Sequence, residues 1–285
     1  MRIVLTVLAA VGVGGYAPGD YPCKGVAPNG RRWLFVMPQH TGTSVVASLL
    51  RESLHAHCRH YHTPVSARDL GPAEEASDTF VFFFAADPFK RVVTSATYNN
   101  VLYRKTFDDN FCAFKKHVCA APGFGNETPV PGNSDGKRFG LIPPPMYAFL
   151  GQGVNATYVG RLSHLQQDLS RVLEILEYPP ANLTKYHCIS ACHRHHSDQL
   201  ENISTRVRAA VQNFSYMDYY DAESAACVER LYEQDFALFG FPKFDERPAP
   251  VAARSPVCSP GAPTPNALRM QQWRERHVPG GDKAR

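Results

Sequence analysis

Short apolar runs followed by a polar turn and a helical stripe recur along this 285-residue chain. The first run, Trp33 to Met37, predicts a buried strand that leads into the polar turn Pro38 to Ser44. A second run, Phe80 to Ala85, is apolar at every position, as central parallel strands are, and a helix is predicted from about Phe89 to Val101. A third strand is predicted at Ala156 to Val159.

Four stretches carry apolar side chains at helical spacing. They are Val45, Val46, Leu49, Leu50 and Leu54; Leu162, Leu165, Leu169, Val172, Leu173 and Leu176; Leu200, Ile203, Val207, Ala210, Val211 and Phe214; and Val228, Leu231, Tyr232, Phe236 and Phe239. Residues 104–145 are rich in Gly and Pro and predict loop. Strands that alternate with helices indicate an α/β fold with a mainly parallel central sheet flanked by helices. Ligands of such sheets bind beyond the carboxyl ends of the strands.

Residues 33–244 are predicted to form the one folded domain. Residues 1–17 place one Arg before an apolar core that is shorter than the roughly 20 residues of a bilayer span. They predict a cleaved signal peptide, with a short signal anchor as the alternative. Residues 18–32 read as a Pro/Gly-rich lead-in, and residues 245–285 as a disordered tail rich in Pro, Ala and Arg.

Charge and cysteine content narrow the function classes. The formal net charge is +4, and no dense Lys/Arg patch interleaves with aromatic residues, which disfavours nucleic acid as a partner. The chain has eight cysteines and five N-x-[ST] sequons, which together with the apolar N-terminus indicate the secretory pathway. The sequons stand at Asn126, Asn155, Asn182, Asn202 and Asn213.

The turn after the first strand has the composition of an anion site. Backbone N–H groups at a helix start point outward, and the helix dipole there favours negative charge. Gly42 allows close backbone approach, and Thr41, Thr43 and Ser44 add hydroxyl donors. Plain helix capping is the alternative. The motif G-x-x-x-x-G-K-[ST] is absent from the chain, which argues against an ordinary P-loop kinase or nucleotidase.

A second polar constellation follows the second strand, where Arg91, Thr94 and Ser95 lie within about one helical turn. A guanidinium and hydroxyls can clamp a phosphate. The alternative is a surface Arg and two hydroxyls on an ordinary helix.

Taken together, the two turns resemble the sulfotransferases that use 3′-phosphoadenosine 5′-phosphosulfate (PAPS), above all the carbohydrate sulfotransferases of the Golgi. The stretch Pro38-Gln39-His40-Thr41-Gly42-Thr43-Ser44 resembles the P-K-x-G-x-T-S loop, and Ala86-Asp87-Pro88-Phe89-Lys90-Arg91-Val92-Val93-Thr94 resembles R-D-P-x-x-R-x-x-S. Tyr158 to Arg161 and Tyr219 to Phe241 resemble later family segments. The resemblance covers residues 33–244 and implies a P-loop-like sulfotransferase fold.

The resemblance also implies roles for individual residues. Gln39, His40, Thr41, Gly42, Thr43 and Ser44 would hold the 5′-phosphosulfate of PAPS, and Arg91, Thr94 and Ser95 would hold the 3′-phosphate. Two positions depart from the family pattern, because His40 replaces the loop Lys and Ala86 replaces the first Arg of the second motif. A protonated His40 can partly replace the Lys, since a nearby phosphate raises the pKa of a histidine.

Four histidines fall within eight residues of His55 to His62. His60-x-His62 resembles the H-x-H of the hexuronyl 2-O-sulfotransferases, in which these histidines act as base. We therefore expect His62 first, and His60 second, to take the proton of the acceptor hydroxyl. A solvated His-rich loop or loose metal binding are the alternatives.

A further cluster runs from Cys188 to His196. Zinc binding is conceivable at this density, but a disulfide between Cys188 and Cys192, or pairing with more distant cysteines, fits an oxidising lumen better. Cys112 and Cys119 flank a predicted loop and could pair across it. No metal site is predicted.

The sequence thus predicts a PAPS-dependent sulfotransferase that acts on a hydroxyl of a glycan or proteoglycan in the Golgi lumen or membrane, or on a secreted product. Contact with a membrane is expected only through an N-terminal anchor. The alternative is a catalytically degenerate relative that binds glycan or nucleotide without transfer, as the His40 and Ala86 departures suggest.

Overall fold

The computed structural model describes residues 23–56, 58, 64–65, 67–70, 78–98, 102, 107–121, 142–151, 153–183, 215–247 and 258. Within them the chain forms a four-stranded mixed sheet in the order β1-β2-β3-β4. The strands are β1 Cys23–Val26, β2 Arg32–Phe35, β3 Phe80–Ala85 and β4 Tyr158–Arg161. β1 is antiparallel to β2, and both β2·β3 and β3·β4 are parallel. The prediction of an α/β fold is confirmed at this level.

Six α-helices accompany the sheet in the described residues. They are α1 Thr43–Leu54, α2 Pro88–Tyr98, α3 Phe107–Cys119, α4 Leu165–Ile175, α5 Ala222–Leu231 and α6 Glu233–Phe239. Short 3₁₀ helices lie at Ala67–Leu70, Met146–Phe149, Leu162–His164 and Tyr216–Tyr219.

The all-apolar sequence of β3 is explained by cover on both faces. Phe80, Phe82 and Phe84 pack with α1 and α4 on one face, whereas Val81 and Phe83 pack against the 146–150 segment and the end of α6 on the other. Each fully buried Phe stabilises the fold by roughly 2–3 kcal/mol relative to an exposed one. A third apolar cluster joins α2, α3 and α5 beyond the sheet.

Three sequence predictions are corrected by the structure. The 18–32 lead-in contains β1, which the pattern missed because a four-residue edge strand has too few positions to show alternation. The loop predicted over 104–145 contains α3, whose Phe111, Phe114 and Val118 are buried at helical spacing. The apolar face predicted from Val228 to Phe239 belongs to two helices, because the backbone leaves helical geometry at Tyr232 (φ −119°, ψ 24°).

Three disulfides connect distant parts of the chain: Cys23–Cys58, Cys112–Cys258 and Cys119–Cys227. The pairing of Cys112 with Cys119, which the sequence left open, is therefore not formed. Both residues lie on α3, where seven residues span about 10 Å, too far for one bond. The three bonds fit an oxidising secretory or extracellular environment. Cys188 and Cys192 lie outside the described residues.

None of the described helices is long and apolar enough to cross a membrane. The helix predicted at Leu200 to Phe214 and residues 1–17 lie outside the described residues. Of the predicted tail, residues 245–247 and 258 are described, and Arg247 and Cys258 both contact the domain.

Candidate functional site

The turn between β2 and α1 closes tightly at the carboxyl end of the sheet. The Val36 N–H still donates to Phe82 O at 2.9 Å, so pairing with β3 continues one residue past β2. His40 and Gly42 then adopt left-handed backbone, with φ of 57° and 76°. Thr41 Oγ1 donates to the Pro38 carbonyl at 2.8 Å. This hydrogen bond and the two left-handed residues turn the chain directly into α1.

The N-terminus of α1 has the features expected of an anion site. Gly42 is the N-cap and supplies no side-chain cap hydrogen bond, and the first turn carries no acidic side chain. His40, Gly42 and Ser44 are partly exposed, whereas Gln39, Thr41 and Thr43 are buried. An anion at this end of the helix would therefore meet the backbone of His40 and Gly42. It would also meet the side chains of His40 and Ser44.

Gly42 also fixes the turn against the segment that follows β4. A Cβ at this position would lie 2.7 Å from Leu162 Cδ1 and 3.3 Å from Leu165 Cδ2. The backbone of the turn consequently packs directly on these two leucines. The close approach brings the ends of β2 and β4 together at one edge of the sheet.

Arg91 lies beneath this turn and has no exposed surface. Its Nε donates to the Gln39 carbonyl at 2.9 Å, and its Nη2 donates to the Pro144 carbonyl at 2.8 Å. Its Nη1 is 3.7 Å from Asp235 Oδ2. Desolvation lowers the pKa of Arg91. The guanidinium therefore joins the two turns that sequence analysis singled out. Its Nε and Nη2 are hydrogen-bonded to carbonyls, whereas the buried Nη1 has the ion pair with Asp235 but no hydrogen-bond partner within the described part of the chain.

Asp235 completes this buried network from the start of α6. Its carboxylate accepts from the Met146 and Tyr147 N–H groups at 2.7 and 3.0 Å, which caps the Met146–Phe149 helix. Burial raises the pKa of Asp235 to about 6, although Arg91 and these two donors act in the opposite direction. The network holds the 143–147 segment in place under the turn.

Asp87, between β3 and α2, is the centre of a second network. It accepts from the Phe89 N–H at 3.0 Å and from the Tyr216 hydroxyl at 3.0 Å. Arg247 approaches the same carboxylate with both terminal nitrogens, at 2.5 and 3.1 Å, and lies 4.6 Å over the Phe89 ring. The Asp-Pro pair signals a helix start. The role of Arg247 had no sequence signal, because it comes from a segment predicted as tail.

The surface of α2 offers a different set of groups from the one predicted. Lys90 and Thr94 are exposed, and Thr94 Oγ1 donates to the Lys90 carbonyl at 2.8 Å. Ser95 is only 1% exposed and Ala86 only 2%. Sequence analysis named Thr94 but missed Lys90, which lies one turn of α2 before Thr94 and is exposed like it.

Arg161 ends β4 at the same edge of the sheet. Its Nη2 donates to the Phe239 carbonyl, and its guanidinium lies 4.4 Å from the centre of the Phe241 ring. The backbone N–H of Arg161 donates to Asp168 Oδ2 at 2.5 Å, and Asp168 Oδ1 accepts from the Tyr158 hydroxyl at 3.1 Å. Burial, followed by the charge of Asp168, raises the pKa of Tyr158 to about 12. These contacts lock β4 to α4 and α6.

His60, His62 and the Cys188 to His196 cluster lie outside the described residues. In the described part of the chain, no three His, Cys, Asp or Glu residues are grouped as metal ligands would be. A depression of about 700 Å³ lies near Ser170, Leu173 and Tyr178. Tyr178 accepts from Trp33 Nε1 at the start of β2. The depression is therefore at the amino edge of the sheet, away from the turns.

Comparisons with known protein families, with curated proteins and with solved structures find no match to this chain.

Proposed function

We propose that the protein is a PAPS-dependent sulfotransferase that sulfates a hydroxyl of a glycan in the lumen of the secretory pathway, in the Golgi. One observation carries the proposal. The two turns that resemble the family's nucleotide motifs contact each other, through the hydrogen bond from Arg91 Nε to the Gln39 carbonyl. Turns far apart in the sequence, with bonded positions separated by 52 in residue number, thus form one edge of the sheet.

The residues of the first turn fit the 5′-phosphosulfate. The N-terminus of α1, where Gly42 makes no side-chain cap hydrogen bond, supplies backbone donors, and no acidic side chain in its first turn repels an anion. His40 and Ser44 are the partly exposed side chains beside it. In this proposal the two side chains contact the ligand, whereas the buried Gln39, Thr41 and Thr43 shape the turn.

The second turn fits the 3′-phosphate in a modified form. Arg91 is fully buried and donates hydrogen bonds to two carbonyls. We therefore assign it the role of positioning the turn and not that of contacting the phosphate. Lys90 and Thr94 are the exposed polar groups of α2 nearby. Thr94 would exchange its hydrogen bond to the Lys90 carbonyl for one to a phosphate oxygen.

Bound PAPS would supply a sulfuryl group activated by a phosphate leaving group. His62, supported by His60, would accept the proton of the attacking glycan hydroxyl. His40 in its protonated form would stabilise the charge that develops on the leaving phosphate. No residue is required to bind a metal in this scheme.

Incubation of the purified protein with sulfur-35-labelled PAPS and a panel of glycans tests the proposal. We expect label to reach a glycan, and His62→Ala to abolish transfer while leaving the affinity for adenosine 3′,5′-bisphosphate unchanged. His55→Asn is the matched control, because His55 is an exposed histidine of the same segment that ends α1 in left-handed backbone, which Asn tolerates. Absence of transfer to every glycan, with no nucleotide binding, would refute the proposal.

The second candidate is a relative that binds nucleotide or glycan without transfer. It is favoured by Ala86, which lacks the guanidinium of the family motif, and by the burial of Arg91. Together they leave Lys90 and Thr94 to contact the 3′-phosphate. Binding of adenosine 3′,5′-bisphosphate without label transfer to any glycan is the result that selects this candidate.

A further inference from the structure

We infer that Asn155 carries an N-linked glycan, attached at the edge of the sheet opposite the candidate site. Asn155-Ala156-Thr157 is the sequon of this chain for which all three residues are described and whose Asn and Thr are both exposed. N-glycosylation needs the sequence N-x-[ST] with a residue other than Pro in the middle, and Ala156 meets this condition.

The local backbone turns the sequon outward. Val154 and Ala156 are 2% and 7% exposed and belong to the apolar cluster under the sheet. Asn155 and Thr157, which alternate with these two buried residues, are both exposed. A large, hydrated oligosaccharide on Asn155 would therefore displace no core residue.

The position relative to the strands places this glycan away from the turns. The Thr157 N–H donates to the Val81 carbonyl at 2.7 Å, and the Val81 N–H donates to Thr157 Oγ1 at 3.1 Å. Asn155 thus lies beside the start of β3 and before the start of β4, at the amino edge of the sheet. The turns of the candidate site follow the carboxyl ends of the same strands, so a glycan on Asn155 leaves that edge accessible.

Asn182 differs in its surroundings. It is exposed, but the neighbouring Leu183 is 5% exposed and its N–H donates to Gln166 Oε1 at 2.8 Å. Gln166 lies in the first turn of α4, so this sequon is on the side of the carboxyl edge, and its Thr184 is outside the described residues. The inference is restricted to Asn155 for this reason.

The three disulfides supply an independent argument for exposure to the glycosylation machinery. Disulfides form in the same oxidising lumen where N-glycans are attached. A chain that folds with these bonds passes the oligosaccharide transferase with an acceptor at Asn155. The inference does not depend on the proposed sulfotransferase activity.

The test is expression of the full chain in eukaryotic cells, followed by digestion with a peptide N-glycosidase and electrophoresis. Before digestion, Asn155→Gln should migrate faster than the wild type by one glycan, and after digestion the two should co-migrate. Thr157→Ser is the matched control, because it keeps both the sequon and the hydroxyl that accepts from Val81, and it should keep the mobility of the wild type. Equal mobility of Asn155→Gln and the wild type before digestion would overturn the inference.

A measurement on the wild-type protein covers the case in which Asn155→Gln does not fold. Peptide N-glycosidase converts a glycosylated Asn to Asp, and in heavy-oxygen water the new carboxyl takes up label. Mass spectrometry of the peptide that contains residue 155 should find labelled Asp at that position. A peptide with unmodified Asn155 as the sole form would overturn the inference.

Discussion

Replacement of Arg91 by Met tests whether the buried guanidinium holds the two turns together. Met keeps an unbranched side chain of similar reach but removes the hydrogen bonds to the Gln39 and Pro144 carbonyls and the ion pair with Asp235. Breaking a buried ion pair by removing one partner costs about 3–5 kcal/mol, because a buried charge loses its partner. The carboxylate of Asp235 keeps its two backbone donors, which favours the lower end of this range. We therefore expect the free energy of unfolding to fall by about 3 kcal/mol.

Equilibrium denaturation with the disulfides intact measures this loss, and Lys90→Met is the matched control. Lys90 is the neighbouring cation on α2 but is exposed, so its replacement should change the free energy of unfolding by less than about 0.5 kcal/mol. In Arg91→Met/Asp235→Asn the cost should be smaller than the sum of the single costs, since each residue compensates the other. A loss in Arg91→Met no larger than in Lys90→Met would refute the reasoning.

The same variant also separates positioning from ligand contact. If Arg91 acts by holding the Gln39 carbonyl, Arg91→Met should weaken binding of adenosine 3′,5′-bisphosphate, and so should Arg91→Lys, which keeps the charge but loses the two-carbonyl geometry. Calorimetry on folded protein gives the two affinities. Full affinity in Arg91→Lys would mean that the charge alone matters, contrary to the assignment.

Three further predictions concern single groups of the site. Gly42→Ala should destabilise the fold by about 1–3 kcal/mol more than Gly30→Ala. Both glycines have a left-handed φ (76° and 79°), but only at Gly42 would the new methyl meet a leucine carbon, at 2.7 Å. Denaturation of the two variants side by side measures the difference. Arg247→Met should lower the free energy of unfolding by about 1–3 kcal/mol, because the two hydrogen bonds from its guanidinium to the Asp87 carboxylate are lost. Arg247→Lys should rescue part of this loss. An unchanged thermal midpoint in Arg247→Met would contradict the prediction. Burial raises the pKa of Asp235 from 3.8 to about 6, so the folded state binds this proton more tightly than the unfolded state. The stability that proton binding at Asp235 contributes is complete below about pH 4 and is lost as the pH rises through 6. Asp235→Asn should remove that decline in denaturation curves recorded between pH 4 and 7.

Sequence periodicity located the elements whose own residues determine them. β3 occupies the same residues that the apolar run Phe80 to Ala85 marks, because a strand covered on both faces must be apolar throughout. β1 was missed because its pairing with β2, and not its own pattern, makes it a strand. α3 was missed because Gly and Pro in the segment after it dominated the composition, although acidic residues in its first turn and basic ones in its last match the helix dipole.

In the candidate site, too, features set by local sequence could be predicted, whereas features set by distant partners could not. The turn at Pro38 to Ser44 and the start of α2 at Asp87-Pro88 could be located from local chemistry. The burial of Arg91 could not, because its hydrogen-bonded partner Pro144 and its ion-pair partner Asp235 are both distant in sequence. The contact of Arg247 with Asp87 could not be predicted either, since only the tertiary fold brings the two residues together.

The disulfide between Cys112 and Cys258 has a practical consequence for anyone who trims this protein. A chain shortened to the sequence-predicted boundary at residue 244 would keep the four described strands but leave Cys112 as an unpaired thiol that can cross-link two molecules. Shortened versions that stop before residue 258 should therefore carry Cys112→Ser, and gel filtration without reductant would reveal covalent dimers where they do not.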